Sequence, residues 1–397
     1  MKILMLTPYL PYPTNSGGQI RSNNLIKQLS KKHEITLCSL VKHKEDKKYT
    51  EYLKPFCKNI YVFNRPEKPW TLRNIVHTGF SLFPFVVVRN FSQEEKDSLP
   101  KIIKEGDFDI IHAETFYVSP HIPQTDIPVV LVDQTIEYQV YQHYVDHFRW
   151  FFMRPLLYID VLKVKYWESH YWKKATRAVA VSDRDARVMR NTVNGLRVDV
   201  VPNGVGEDFT QDVPLHYNKT LLFMGNYDWM QNSEAARILA KEVFPKIREQ
   251  IPDVKLIIAG QYTEKIKDLE AENIEIVDIA VDDIQSVQHY FRTSGVLVTP
   301  LYGPGGTRLK ILSAMSSRLP VVTTKVGITG IDAEHKKEVL QGEKPEDLAK
   351  LTVQILNDKD LYKDLADNAR KFVEENYFYE AIAEKLDTIY TEVSNGK

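Results

Sequence analysis

Short runs of aliphatic and β-branched residues recur along the chain. Each is followed by a longer stretch in which apolar positions return every three or four residues. The runs predict strands at 2–7 (KILMLT), 34–40 (EITLCSL), 109–113 (DIIHA), 129–132 (VVLV), 177–181 (RAVAV) and 198–201 (VDVV). A helix is predicted from about Gly18 to His33, and a long aromatic-rich one across 148–175. At 202–218 the period disappears in PNGVGEDFTQDVPLHYN, which reads as a linker. A second series then begins: TLLFM (220–224), LIIAG (256–260), IEIV (274–277), VLVTP (296–300) and VVTT (321–324). Amphipathic helices are predicted at 346–357, 360–376 and 379–393. This alternation builds parallel sheets covered by helices on both faces. The expectation is an α/β protein with two domains of similar size facing a cleft, and ligands at the carboxyl ends of the strands.

Composition narrows the function classes. A chain of 397 residues is too long for one ordinary core and suits two. A net charge of −1 gives no bulk attraction to nucleic acid or to an acidic membrane, so no nucleic-acid partner is expected. Cys38 and Cys57 have no metal-type spacing, and two cysteines do not make a disulfide scaffold. A reducing, cytoplasmic setting is expected. The first residues reach Pro8 too soon for a signal-peptide core, and no apolar run is long enough to span a bilayer. Any work at a membrane, at its inner face, would be done from the surface.

The stretch GPGGTRLKILSAM (303–315) carries the sharpest chemical signal. Thr307 reads as an N-cap, and Leu309, Ile311, Leu312 and Met315 share one apolar face. A helix N-terminus favours acids, yet Arg308 and Lys310 stand here without one. Each misplaced cation costs up to about 1 kcal/mol. Gly303, Gly305 and Gly306 would let a ligand approach the backbone, and free N–H groups of the first turn would face it. A bound diphosphate would turn both cations into partners. The alternative is that Arg308 and Lys310 splay into solvent. A second helix, predicted with Asn232 as cap and Glu234 in its first turn, obeys the charge rule. Gly225, at the end of TLLFM, is a candidate for close backbone approach. Tyr227 and Trp229 read as packing residues.

The first βα turn, PYLPYPTNSGGQIRS, lacks the dinucleotide fingerprint and any Walker sequence. Gly17 and Gly18 open a helix whose first turn holds Arg21 and no acid. The site is either a second anion contact or a surface loop. His112 and Glu114 lie on one side of the DIIHAET strand, at its carboxyl end, and are candidates for acid/base or charge-stabilising work. His112 could equally be a satisfied, partly buried histidine. Asp133 and Glu137 follow VVLV and would bind acceptor hydroxyls or cap a helix. Segment 148–177 mixes aromatics with Arg and Lys. It would lie on a membrane as a peripheral contact, or form a core helix with solvated charges, since Asp160 and Glu168 interrupt the basic face.

With these residues placed, nearly the whole chain resembles the retaining glycosyltransferases of the GT-B fold, family 4. MKILMLTPYLPYPTNSGGQIRS resembles the family's first strand and Gly-Gly loop. VSDRDARVM…VVPNGV is similar to the end of its N-terminal domain, and LLFMGNYDW to the start of its C-terminal domain. GGTRLKILSAMSSRLPVVTTKVGITGI resembles the donor-binding signature. The resemblance implies two Rossmann-like domains, 1–204 on the acceptor side and 205–376 on the donor side, with a C-terminal helix (377–397) crossing back to the first. It implies a nucleotide diphosphate sugar as donor substrate, UDP-sugar ahead of GDP-sugar, with no resident cofactor and no metal. The acceptor would be a hydroxyl of a sugar, glycolipid or polysaccharide precursor. The implied donor-binding residues are Gly17, Gly18, Gly225, Asn226, Gly305, Gly306, Thr307, Arg308, Leu309, Lys310 and Ser313. Arg308, Lys310, Glu114 and His112 would carry catalysis. The family's signature usually has two glutamates eight residues apart; Gly305 and Ser313 occupy those positions. Many members have His where Glu114 stands. Gly305 and Ser313 motivate a second reading, a catalytically weak or inactive binding subunit; a third is a nucleotide-sugar epimerase of the same fold, which the Gly-Gly loop and the signature fit less well.

Overall fold

The computed structural model describes residues 1–14, 16–68, 70–206, 209, 211, 213–281, 283–303 and 308–396. It divides into two compact units. The first comprises Met1–Pro202 and the chain from Ile382 onward; the second runs from Asn203 through Ala381.

The first unit holds β1 (Lys2–Thr7), β2 (Glu34–Val41), β3 (Asn59–Asn64), β4 (Ile110–Glu114), β5 (Val129–Asp133), β6 (Arg177–Ala180) and β7 (Val198–Val200). They form one parallel sheet in the order β3-β2-β1-β4-β5-β6-β7. The second unit holds β8 (Thr220–Asn226), β9 (Lys255–Gln261), β10 (Ile274–Asp278), β11 (Val296–Thr299), β12 (Val321–Thr324) and β13 (Leu340–Gly342). Its parallel order is β10-β9-β8-β11-β12-β13. Both sheets are doubly wound. Each reverses direction beside its first strand, between β1 and β4 and between β8 and β11, and ligands of such folds bind at the carboxyl ends there.

Central strands are buried on both faces. Ile3–Leu6 and Leu221–Phe223 therefore read as unbroken apolar runs. The edge strand β3 alternates instead, and only Phe63 of it is buried.

The last helix, Tyr379–Ser394, belongs to the first unit from Ile382 on. Its buried stripe is Ile382, Leu386, Ile389, Tyr390 and Val393. Lys32 pairs with Glu384 and Asp387 there, and Arg177 with Glu392. Most of these charges are partly exposed, so the apolar stripe contributes more.

The expected linker at 202–218 is not loose where it is described. Val205 N–H donates to Tyr377 O, and Phe209 O accepts from Ser316 Oγ at 2.6 Å and from Arg370 at 3.1 Å. Backbone bonding within the second unit replaces the missing period.

One buried acid in the first unit has a testable consequence. Glu95, in the helix Gln93–Gly106, is buried, and neither of its oxygens has a hydrogen-bond partner among the described residues. His121 Nδ1 is 3.6 Å away but sits 2.9 Å from Val118 O, while its Nε2 accepts from Ser92 N–H. Burial pushes the Glu95 carboxyl up to about 8. A raised acid costs nothing where both states are protonated, and its cost grows as pH climbs from the unfolded value to about 8. Glu95→Met is therefore expected to stabilise the protein by about 2–4 kcal/mol at pH 8.5 and much less at pH 5, by denaturant unfolding. A loss of stability at pH 8.5 would show that the carboxylate is paired.

Candidate active site

In the second unit the site is built where β8 ends and the helix Leu309–Ser316 begins. This helix starts one residue later than expected. Arg308 occupies the cap position in extended conformation, and Thr307, Gly305 and Gly306 lie outside the described residues. The first turn contains Lys310 and no acid. Arg308 does not splay freely: its Nη2 donates to Gly303 O at 2.9 Å. Lys310 Nζ donates to Asn232 Oδ1 at 2.7 Å and sits 4.6 Å from the centre of the Phe223 ring. Burial, with Arg308 as a second cause, pushes the Lys310 ammonium down to about 7. Two cations are thus held side by side at the positive end of a helix, one of them poorly solvated. Ser313, three residues after Lys310 on the same helical face, is half-buried.

Asn232 corrects the sequence reading. The helix there is Met230–Ile238, capped at Trp229, and its first turn has no acid. Asn232 and Ser233 lie inside that turn and face backward. Asn232 Nδ2 donates to Asn226 O at 2.8 Å, and Ser233 Oγ to Tyr227 O at 2.8 Å. The helix therefore provides no acid-bearing control for the charge rule. Gly225 makes room for Asn232: a Cβ there would meet its side chain at 3.1 Å. Close approach at Gly225 thus serves a protein group. The Asn226 side chain holds Gln261 at 2.9 Å and the Asp228 N–H at 3.0 Å. Tyr227 is buried as expected, whereas Trp229 is exposed.

In the first unit, the helix Gly17–Leu29 begins beside the ends of β1 and β4. Gly17 is exposed. Gly18 is tightly enclosed; a Cβ would meet Tyr9 Oη at 2.3 Å and Gln134 Oε1 at 2.8 Å. Arg21 is neither on a surface loop nor exposed. It is buried, its Nη1 donates to Pro202 O at 2.8 Å, and its Nε lies 3.8 Å from Glu114 Oε1.

His112 and Glu114 do face the same side, but both are completely buried. His112 Nε2 and Glu114 Oε1 are 3.1 Å apart, and Gln134 Nε2 donates to Glu114 Oε2 at 2.5 Å and to Tyr9 Oη at 2.8 Å. His112 Nδ1 is hydrogen-bonded to Tyr390 Oη at 2.5 Å. Burial alone would raise the Glu114 carboxyl. The bond and charge of His112, then Arg21 and Gln134, outweigh it and hold the group below its usual range. Glu114 is thus a buried, charge-stabilised carboxylate. In the structure the pair belongs to a buried hydrogen-bonded network. Sequence reasoning missed Tyr390 and Gln134. Tyr390 is 278 residues from His112, and no local pattern joins them.

Asp133 is likewise enclosed. It is buried, accepts from Phe116 N–H at 2.8 Å and from the Trp172 indole N–H, and burial raises its carboxyl to about 7. Glu137 opens the helix Glu137–Asp146, and burial raises it to about 7 as well, against the opposing charge of Arg89. Its own N–H is capped by Glu168 at 2.8 Å.

A model described as Glycosyltransferase Family 4 matches residues 16–209, and one described as Glycosyl transferases group 1 matches residues 218–358. The chain belongs to this glycosyltransferase family. An uncharacterized 44.6 kDa protein in the cps region of Klebsiella pneumoniae is 22% identical over 387 residues, spanning 95% of this chain and 96% of that one. Solved glycosyltransferases share the fold. S. aureus TarM, in complex with UDP and alpha-GlcNAc-glycerol, gives a TM-score of 0.71 at 12% identity, over 98% of this chain and 99% of its own. Sucrose-phosphate synthase of Thermosynechococcus elongatus gives 0.70 at 15% identity, over all of both chains. Anabaena HepE, in complex with UDP-glucose, gives 0.66 at 14% identity, over 99% of this chain and 100% of its own. The two parallel sheets are those of the GT-B fold, and the glycosyltransferase is a two-unit α/β protein of that class.

Proposed function

We propose that this glycosyltransferase moves a sugar from a nucleotide diphosphate sugar to an acceptor hydroxyl with retention of configuration and without a metal ion. The observation that carries the donor reading is Arg308 and Lys310 at the N-terminal end of the 309–316 helix, with no acid in the turn. A diphosphate there would meet helix N–H groups and two cations, the arrangement that stabilises a departing nucleotide. Same-face substitution then lets the leaving diphosphate take the acceptor's proton, so no side-chain base is required. Glu114, held ionised in the first unit, is the proposed charge-stabilising group. Among the described residues no group of three or more His, Cys, Asp or Glu is arranged to hold a metal ion.

The acceptor is proposed to be a hydroxyl of a sugar, glycolipid or polysaccharide precursor. UDP is the first nucleotide to test, because HepE and TarM were solved with UDP-glucose and UDP. A rival reading, a binding subunit without turnover, draws on Ser313 and the enclosed His112–Glu114 pair.

The deciding experiment is thermal unfolding against UDP, GDP, ADP, TDP and their common sugar conjugates. Ligand at a hundredfold over its Kd stabilises by about 2.7 kcal/mol. One base is expected to raise the midpoint, and its sugar conjugate is then expected to be hydrolysed or transferred, with EDTA without effect. Binding without any turnover would select the rival. No shift with any nucleotide would overturn the donor site.

A further inference from the structure

The helix Leu72–Phe80 buries only Asn74. Its apolar residues point outward: Ile75 is half exposed and Phe80 is 93% exposed, followed by Leu82 at 81%. The helix Arg154–Lys174 buries Val161, Val164, Tyr171 and Trp172 on one side. On the other it exposes Leu156, Leu162 and Tyr166, each at more than 60%. The two helices form one surface. Lys163 Nζ donates to Thr78 O at 2.7 Å and Ser81 O at 2.8 Å, the Trp167 indole donates to Leu82 O at 2.9 Å, and Phe83 stacks on Trp167. The three aromatics before the second helix, Trp150, Phe151 and Phe152, are also more than half exposed.

The exposed charges on the two helices themselves are all basic; exposed Asp146, bonded to Tyr158, and Glu67 lie just before them in sequence. In sequence, Asp160 and Glu168 interrupt the basic face. In the structure both turn inward. Asp160 Oδ1 accepts the Phe85 N–H at 3.0 Å, and buried Glu168 accepts those of Glu137 and Tyr138. Across 147–176 the exposed charges are Arg149, Lys165, Lys173 and Lys174, with no exposed acid. Across 68–82 Lys68 and Arg73 are exposed and no acid occurs. Asp160 and Glu168 are spent as helix caps, which leaves an apolar ridge flanked by Arg73, Arg149, Lys165, Lys173 and Lys174.

We propose that this face seats the protein on an anionic lipid bilayer. The apolar ridge would enter the headgroup boundary, with Trp and Tyr at the level they favour and lysines reaching lipid phosphates. Among the described residues no helix is long and apolar enough to cross a membrane, so the contact is interfacial. A second copy is the poorer occupant: a twofold contact would bring Arg73, Arg149 and Lys165 toward their own counterparts. The inference stands independently of the glycosyl-transfer reading.

The test is co-sedimentation of the full chain with vesicles of phosphatidylcholine alone and with phosphatidylglycerol added. The anionic vesicles are expected to bind at least about tenfold more strongly, and less so in high salt. Phe80→Glu with Leu156→Glu, both at exposed positions, is expected to reduce binding about tenfold or more with an unchanged melting midpoint. If that pair fails to fold, Arg149→Glu with Lys165→Glu replaces it, with the same expected loss. Binding to neither vesicle, equal binding by wild type and variants, or a dimer in light scattering that the substitutions abolish would each overturn the proposal. The last result would give the face to a second copy.

Discussion

Replacing Lys310 with methionine is expected to lower kcat/KM for the nucleotide-sugar donor roughly 100- to 1,000-fold, the range for losing one preorganised charge-stabilising donor. The same change is expected to leave the folded protein at least as stable. Lys310 is held in poorly solvated surroundings beside Arg308, which depresses its ammonium to about 7. A cation whose folded value lies below its unfolded one destabilises the fold most at and below about pH 7. That cost fades as pH rises toward the unfolded value. The methionine variant should therefore gain midpoint at pH 6 relative to wild type and converge with it near pH 10. Its cost is the bond to Asn232, one neutral acceptor.

A second consequence is proton uptake. A diphosphate favours the charged ammonium, so nucleotide binding at pH 8 should take up a proton and weaken as pH rises above about 7. Titration calorimetry in two buffers of different ionisation heat measures this directly. Unchanged turnover together with lower stability would remove Lys310 from the donor site and make it a packing residue.

The central strands were legible because parallel strands covered on both sides are written as apolar runs. KILMLT and VVTT match β1 and β12 end to end. β3 and β13 were not read. β3 is an edge strand of mixed polarity, and β13 has only three residues. Helix starts were less legible, for a chemical reason. Asn232 and Ser233 are strong cap residues by type, but here they bond carbonyls of the strand-end loop from within the helix. The candidate site was legible in one half only as a local charge anomaly. The two cations at 308 and 310 stand out against the charge rule within a single turn. The enclosure of His112 and Glu114 depends on Arg21, Gln134 and Tyr390, which the fold assembles from distant segments. Two-residue alternation gave the shared direction of His112 and Glu114 but could not show that the space they face is filled.

Glu114→Gln is expected to destabilise the first unit by roughly 3–5 kcal/mol, because it removes the buried carboxylate that faces Arg21 and His112. The substitution preserves volume and one acceptor, so packing is not the cause. Arg21→Met should cost a comparable amount for the converse reason. The double variant should cost clearly less than the sum, since the two facing charges are then removed together. Tyr390→Phe removes one hydrogen bond to His112 and should cost about 1 kcal/mol. The pH dependence has a definite sign. Glu114 is held below its usual range, so its contribution is present above the unfolded carboxylate value and lost as pH falls through the folded one. Wild type and Glu114→Gln should thus approach each other in strong acid and diverge at neutral pH. Denaturant unfolding of the full chain, followed by the transition that these variants shift, measures all four. Additive single costs, or a Glu114→Gln loss under about 1 kcal/mol, would mean that solvent reaches the pair. Glu114 would then regain its place as a group able to touch substrate.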